Sequence, residues 1–194
     1  QVFEQVRNAR PSKLFLYQDG PRSEHDLPGI KACREVTDQI DWDCEVHRMY
    51  QEKNYGCDPS EYISQKWAFS MVDKCIVLED DDVPSVSFFT FCKEMLDKYE
   101  QDTRITMIAG FNNEEITPDV PYDYFFASTF SIWGWASWKR VIDQWDEHYT
   151  FLEDKFNMQQ LEQLIKERKF RKDFIYMCHR HKENNKAYYE TIFH

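Results

Sequence analysis

The sequence predicts an α/β protein with an open, mostly parallel, Rossmann-like (GT-A) sheet that has helices on both faces and a helical C-terminal portion. Four short β-rich runs support this, because their starts are 30, 31 and 30 residues apart, about one strand–helix–strand unit each. The runs are 14–17, 44–47, 75–78 and 105–108. Residues 75–78 are apolar without alternation, as expected for a parallel strand buried on both faces.

Helical patterns lie between these strands. The first covers 30–40, and the third follows the apolar spacing of 88–99. The second is predicted to begin with Asp58 as N-cap, Pro59 at the first helical position and Glu61 completing a capping box. An amphipathic pattern at Val2, Phe3 and Val6 adds a helix at the start of the chain.

After residue 110 the regular alternation ends. We expect loop structure over 111–134 with one strand at 124–127, a helix over 135–147, charged helices over 152–184 and a strand-like run at 187–189. No linker of glycine and serine interrupts the chain, so 1–194 is predicted to be one domain. Because the chain starts at Gln1 within a helical pattern, we expect it to be truncated at one or both ends.

Composition excludes several classes of protein. The 194 residues carry 35 acidic and 24 basic side chains, a net charge of −11, which argues against a nucleic-acid partner. The five glycines form no phosphate-binding loop, which argues against Walker-type and dinucleotide-binding proteins. No apolar run is long enough for a transmembrane segment. The six cysteines lack a zinc-ribbon spacing, and buried reduced thiols at Cys33, Cys75 and Cys92 predict a cytoplasmic protein.

The strongest chemical signal is the run of four carboxylates from Glu79 to Asp82, directly after a predicted buried strand. In open parallel sheets, ligands bind beyond the carboxyl ends of the strands. Four adjacent negative charges repel one another, and a hard cation such as Mg²⁺ or Mn²⁺ relieves that repulsion while keeping positions open for a diphosphate. The alternative is an acidic, solvated turn that caps the following helix.

The segment Val77-Leu78-Glu79-Asp80-Asp81, followed after six residues by Phe88-Phe89, resembles the metal motif of GT-A-fold nucleotide-sugar glycosyltransferases. The likeness is strongest to N-acetylglucosaminyltransferase I and its bacterial relatives. Segments 16–22, 107–113 and 132–138 resemble later parts of the same family, in order and over about residues 1–145. The resemblance assigns nucleotide binding to 1–110 and the acceptor side to 111–194.

The resemblance implies roles for five acidic residues. Asp81 would bind the metal directly, and Asp82 is an alternative ligand because Asp80-x-Asp82 also fits the wider DxD pattern. Glu79 and Asp80 would hold the ribose and the water shell of the metal. Asp19 would accept a hydrogen bond from the uracil N3–H, and the alternative is a turn residue before Gly20.

Aromatic residues cluster in 130–138. Trp133, Gly134 and Trp135 are predicted to line the sugar pocket, because the apolar face of a sugar stacks on an indole ring. The spacing of Trp135, Trp138, Ile142 and Trp145 also fits one helical stripe, and we assign Trp138 and Trp145 to the core.

A general base is needed to deprotonate the acceptor hydroxyl. Glu190 is the candidate, because Tyr189-Glu190-Thr191-Ile192-Phe193 loosely resembles the Trp-Asp-x-x-Trp-like segment of the family, and Asp146 is the alternative. Basic residues over 166–172 are of the kind that meets a lipid-linked acceptor or a membrane surface, but interleaved acids favour a solvated helix face.

The sequence therefore predicts an inverting, metal-dependent transferase that moves a sugar from a nucleotide sugar, favoured to be a UDP-sugar, to a glycan or lipid-linked glycan acceptor. The predicted location is cytoplasmic, with peripheral membrane contact as an option. Two alternatives stay open: a sugar nucleotidyltransferase, and a non-catalytic module that binds nucleotide sugars.

Overall fold

A computed structural model describes residues 1–112, 120–127 and 131–184 of the chain. The described part is mixed α/β, as predicted. Its strands are β1 (Lys13–Gln18), β2 (Glu45–Tyr50), β3 (Lys74–Val77), β4 (Ile108–Ala109) and β5 (Trp135–Trp138). Its α-helices are α1 (Val2–Ala9), α2 (Leu27–Thr37), α3 (Cys57–Met71), α4 (Val86–Lys98), α5 (Lys139–Ile142), α6 (Lys155–Leu164) and α7 (Arg168–Asn184).

The strands form two small sheets, and the prediction of one open, mostly parallel sheet is wrong for the described residues. β1 and β2 pair in parallel, from Lys13 opposite Glu45 to Gln18 opposite Tyr50. The second sheet has the order β3-β5-β4, and β5 runs antiparallel to both neighbours. β5 returns between the two earlier strands, so β3 pairs with β5 and β4 does not pair with β3. Helix α3 contacts both β1 and β3 and so packs against both sheets.

The prediction of a helix over 135–147 is also wrong. Instead, 135–138 form β5, and only 139–142 form a short helix. All four residues of β5 are buried, so the strand shows no alternation of polar and apolar residues. Two tryptophans three positions apart then imitate a helical stripe, and periodicity cannot distinguish the two structures.

Most other elements lie where the sequence predicts them. The patterns at 30–40 and 88–99 correspond to α2 and α4, and 152–184 contains α6 and α7. Helix α3 begins at Cys57 after Gly56, whose φ is 88°, so Asp58 is not its N-cap and the predicted capping box is wrong. Residues 124–127 are not a strand, and 187–189 lie outside the described residues.

The main core surrounds β5. Its buried side chains include Phe69 from α3, Leu96 from α4 and the two tryptophans of β5, and Trp145 is buried as predicted. The Trp138 indole N–H donates to the carbonyl of Leu96 at 3.1 Å. This bond satisfies a polar atom that would otherwise be costly to bury.

A second, smaller core joins α7 to the segment 150–153 and to α6. Tyr149, Phe174 and Cys178 are buried there. The ammonium of Lys182 on α7 contacts the Glu153 carboxylate at 2.6 Å. Within the described ranges, no helix combines the length and the apolar character needed to cross a bilayer.

All six cysteines lie in the described ranges, and none of them forms a disulfide. Burial raises the pKa of Cys75, Cys92 and Cys178 to about 12 each. Cys33 is exposed on α2, which corrects the expectation that it is buried.

Candidate functional site

A cleft of about 490 Å³ lies at one edge of the β3-β5-β4 sheet. Val77 and Ala109, the last residues of β3 and β4, both face Trp135, the first residue of β5. Because β5 runs antiparallel to β3 and β4, the start of β5 and the ends of β3 and β4 lie at this edge. The cleft is lined by residues that follow β3 and β4 or precede β5: Leu78, Asp81, Asp82, Val83, Pro84, Ser85, Phe88, Gly110, Phe111, Trp133 and Gly134.

One wall of the cleft carries the acidic run. The backbone N–H of Glu79 donates to Asp82 Oδ2 at 3.0 Å, and the N–H of Asp82 approaches the Glu79 carbonyl at 3.4 Å. These contacts close a tight turn that directs Asp81 and Asp82 into the cleft lining. Glu79 and Asp80, predicted to hold the ribose and the metal's water shell, are not part of that lining, and Asp80 is exposed.

The donor set in the cleft fits a Mg²⁺ or Mn²⁺ ion that is held in part by its substrate. Two carboxylates, Asp81 and Asp82, face the cleft, and one oxygen of Asp82 is already occupied by the turn. Such ions commonly take one or two protein carboxylates and complete their shell with water and substrate phosphates. In the described part of the chain, no group of three or more His, Cys, Asp or Glu residues is arranged to hold a metal alone.

Two glycines, Gly110 and Gly134, also line the cleft. The Gly110 N–H donates to the Gly134 carbonyl at 2.8 Å, and Gly134 has a φ of 67°, a conformation that favours glycine. A Cβ on Gly110 would overlap the Phe88 ring. The pair holds the neighbouring residues Phe111 and Trp133 together, with ring centroids 4.9 Å apart and an interplanar angle of 78°.

The predicted sugar-pocket residues thus separate into two groups. Trp133 and Gly134 line the cleft, and 54 % of Trp133 is exposed. Trp135 is fully buried in the core around β5 and does not line the cleft. In a strand, neighbouring side chains point to opposite faces, and both faces of β5 are covered.

Phe111 was not predicted as a site residue. It follows β4 by two positions, lines the cleft and contacts the Trp133 ring. Its only sequence signal is its place after a short β-rich run, where ligand-contacting side chains occur in α/β proteins. That signal is weak, because an exposed phenylalanine is common in any loop.

Asp19 lies at the end of β1, outside the lining of this cleft. Its carboxylate accepts hydrogen bonds from the Asn54 side chain at 2.7 Å and from the backbone N–H groups of Gly20, Tyr55 and Gly56 at 2.9 Å each. These donors tie the loop after β2 to the end of β1. Asp19 therefore holds the loop after β2 in place. Both of its carboxylate oxygens already accept hydrogen bonds.

The two candidate bases are Glu190 and Asp146. Glu190 lies outside the described residues. Asp146 accepts from the Thr150 hydroxyl at 2.9 Å and from the backbone N–H groups of His148 and Phe151. Burial alone would raise the pKa of Asp146, but these hydrogen bonds outweigh it and lower the pKa below its usual value. A lowered pKa is unfavourable for a general base near neutrality.

We compared the chain with protein-family models, curated proteins and solved structures, and none of the three comparisons gives a match.

Proposed function

We propose that this protein is a metal-dependent glycosyltransferase that takes a sugar from a nucleotide-sugar donor, favoured to be a UDP-sugar, and transfers it with inversion to an acceptor hydroxyl. The observation that carries the proposal is the cleft itself. Two carboxylates that follow a strand, Asp81 and Asp82, line the same cavity of about 490 Å³ as an exposed aromatic residue, Trp133. This combination suits a metal-bound diphosphate with a sugar attached.

The start of α4 adds support for a diphosphate. Pro84 and Ser85, which precede the first residue of this 13-residue helix, line the same cleft. Backbone N–H groups at a helix N-terminus are unpaired within the helix and attract anions. Phosphate oxygens placed there would lie between these donors and the carboxylates.

The charge of the cleft makes this binding conditional. Asp81 and Asp82 repel a diphosphate directly, because like charges a few ångströms apart interact strongly at a partly desolvated site. A Mn²⁺ or Mg²⁺ ion held by Asp81 and Asp82, when bound, would neutralise the departing diphosphate as a Lewis acid. Nucleotide affinity is therefore expected to depend on metal, which a site using Arg or Lys would not require.

The acceptor is a glycan or a lipid-linked glycan that the protein meets on the cytoplasmic side. Its hydroxyl loses a proton to Glu190 and attacks the anomeric carbon as the bond to the diphosphate breaks. The leaving diphosphate takes the electron pair of that bond. Glu190→Gln is expected to leave donor affinity nearly unchanged and to lower the transfer rate about 10²–10⁴-fold, the usual contribution of a general base.

Calorimetric titration of UDP with and without Mn²⁺ tests the donor site. We expect binding only with Mn²⁺, and its loss in Asp81→Ala. Asp80→Ala is the matched control, because Asp80 belongs to the same acidic run but lies outside the cleft lining. Unchanged UDP affinity in Asp81→Ala, or equal losses in both variants, would remove Asp81 from the site.

A non-catalytic module that binds nucleotide sugars is the second candidate. It is favoured by Asp146, whose carboxylate closes a turn and has a lowered pKa, so that Glu190 stands alone as the candidate base. The two functions separate in one assay. A catalyst releases UDP from UDP-sugars in the presence of acceptor and loses this activity in Glu190→Gln, whereas a module binds the donor and leaves it intact.

A further inference from the structure

The aromatic pair Phe111 and Trp133 lines the cleft and is only partly buried. Phe111 and Trp133 are 42 % and 54 % exposed, although large apolar side chains gain by burial. Their edge-to-face contact, with centroids 4.9 Å apart, covers one face of one ring. Both rings line the cleft and keep part of their surface exposed, so a flat apolar surface can stack on them.

The pair is also held in place before any ligand arrives. Phe111 and Trp133 directly adjoin Gly110 and Gly134, whose backbones share a 2.8 Å hydrogen bond. The Phe88 ring packs so closely against Gly110 that no side chain fits there. A platform fixed in this way loses little conformational freedom on binding, which favours affinity for a small ligand.

The polar groups nearby define the class of ligand. Asp81 and Asp82 line the same cleft, and carboxylates accept hydrogen bonds from hydroxyl groups. An anion would be repelled by them unless a metal intervened. A neutral pyranose has an apolar C–H face for the rings and hydroxyl donors for the carboxylates, so it satisfies both parts of the cleft without a metal.

We propose that Phe111 and Trp133 form a stacking platform for a neutral sugar ring, and that this ring binds without metal or nucleotide. The inference rests on the proposed function for the assignment of the ring to a substrate of the transferase. The stacking itself rests only on the aromatic pair and the carboxylates that line the same cleft. Phe111 is thereby assigned to the site as a residue that selects for a ring with an apolar face.

Saturation-transfer NMR on the whole chain in EDTA tests this inference. The probes are the methyl β-glycosides of glucose, galactose, mannose and N-acetylglucosamine, with tetramethylammonium as the competitor, because cations also bind aromatic faces. We expect transfer to the C–H protons of one ring face for at least one glycoside. Binding of tetramethylammonium in preference to all four glycosides, or no glycoside signal at all, would overturn the proposal.

Variants localise the signal. Trp133→Leu and Phe111→Leu are each expected to weaken glycoside binding about tenfold, the scale of a lost aromatic contact. Phe156→Leu is the control, since Phe156 is 66 % exposed on α6 and does not line the cleft. Trp133→Phe keeps a ring and should retain part of the affinity. Unchanged binding in both leucine variants, or an equal loss in the control, would place the sugar elsewhere.

The outcome is separable from that of the proposed function. Glycoside binding in EDTA together with no metal-dependent UDP binding would retain the platform and reject the transferase. Metal-dependent UDP binding without any glycoside binding would retain the donor site and reject the platform.

Discussion

The backbone N–H of Gly110 donates a hydrogen bond of 2.8 Å to the carbonyl of Gly134, joining the end of β4 to the entry of β5. Both glycines line the cleft, and each adjoins one of its exposed aromatic residues. The geometry of one cleft wall thus depends on a contact between two residues that have no side chains.

Gly110→Ala is expected to destabilise the fold by about 1–3 kcal/mol, because the added methyl overlaps the Phe88 ring and forces a packed core to shift. Urea denaturation measures the change. Gly29→Ala is the matched control: it lies in α2, has nothing within 4 Å of its Cβ position, and should be neutral or raise stability by up to about 1 kcal/mol. Equal stability of the two variants would contradict the tight contact.

Asp19→Asn is expected to lower stability by about 1–3 kcal/mol, since the amide group turns an N–H donor toward donors that are already there. If Asp19 only holds the loop after β2 in place, Asp19→Asn changes the affinities for UDP, GDP and CDP by the same factor. A loss confined to uridine nucleotides would support the role of Asp19 as the uracil acceptor. Competition calorimetry with the three nucleotides distinguishes these results.

The effect of Asp146 on stability is expected to depend on pH. Its pKa is lowered in the folded state, so its contribution is present above the unfolded pKa of about 4 and is lost as pH falls through the folded value. Asp146→Ala should therefore cost about 1 kcal/mol at pH 7 and less at pH 3. The measurement is urea denaturation of both proteins at the two pH values. An equal cost at both would mean that the charge is not involved.

The cysteines are expected to react in two groups with a thiol reagent. Cys33 and Cys57 are exposed and should react at once in the native protein. Cys92 and Cys178 are buried, and their raised pKa values leave almost no thiolate near neutrality, so they should react only after unfolding. Mass spectrometry of labelled peptides assigns each site. Rapid labelling of Cys92 would contradict the packing of α4 against β5.

The sequence identified those features that depend on neighbours along the chain. The β-rich runs and the apolar stripe of α4 result from local patterns, and they lie within a few residues of their predicted positions. The acidic run was found for the same reason, because four consecutive carboxylates need no fold to be seen.

Features that depend on distant partners were missed. Nothing local to β5 shows that it returns antiparallel between β3 and β4, so a parallel sheet was expected. Apart from the Gly20 N–H, the donors to Asp19 come from residues 54–56, over 30 positions away. The sequence therefore predicted a uracil acceptor or a turn residue, and not the link between Asp19 and the loop after β2. Trp135 was assigned to the pocket because burial on both faces of a strand leaves no periodic signal.

The position of β5 has a kinetic consequence. β3 and β4 pair with β5 and not with each other, so their sheet cannot form until residues 135–138 arrive. On a ribosome, the acidic turn would emerge more than fifty residues before the strand that completes its surroundings. Pairing at such separation carries a loop-closure cost and slows folding. We expect chains cut shortly before residue 135 to keep their local helices yet to lack protection of β3 from hydrogen exchange.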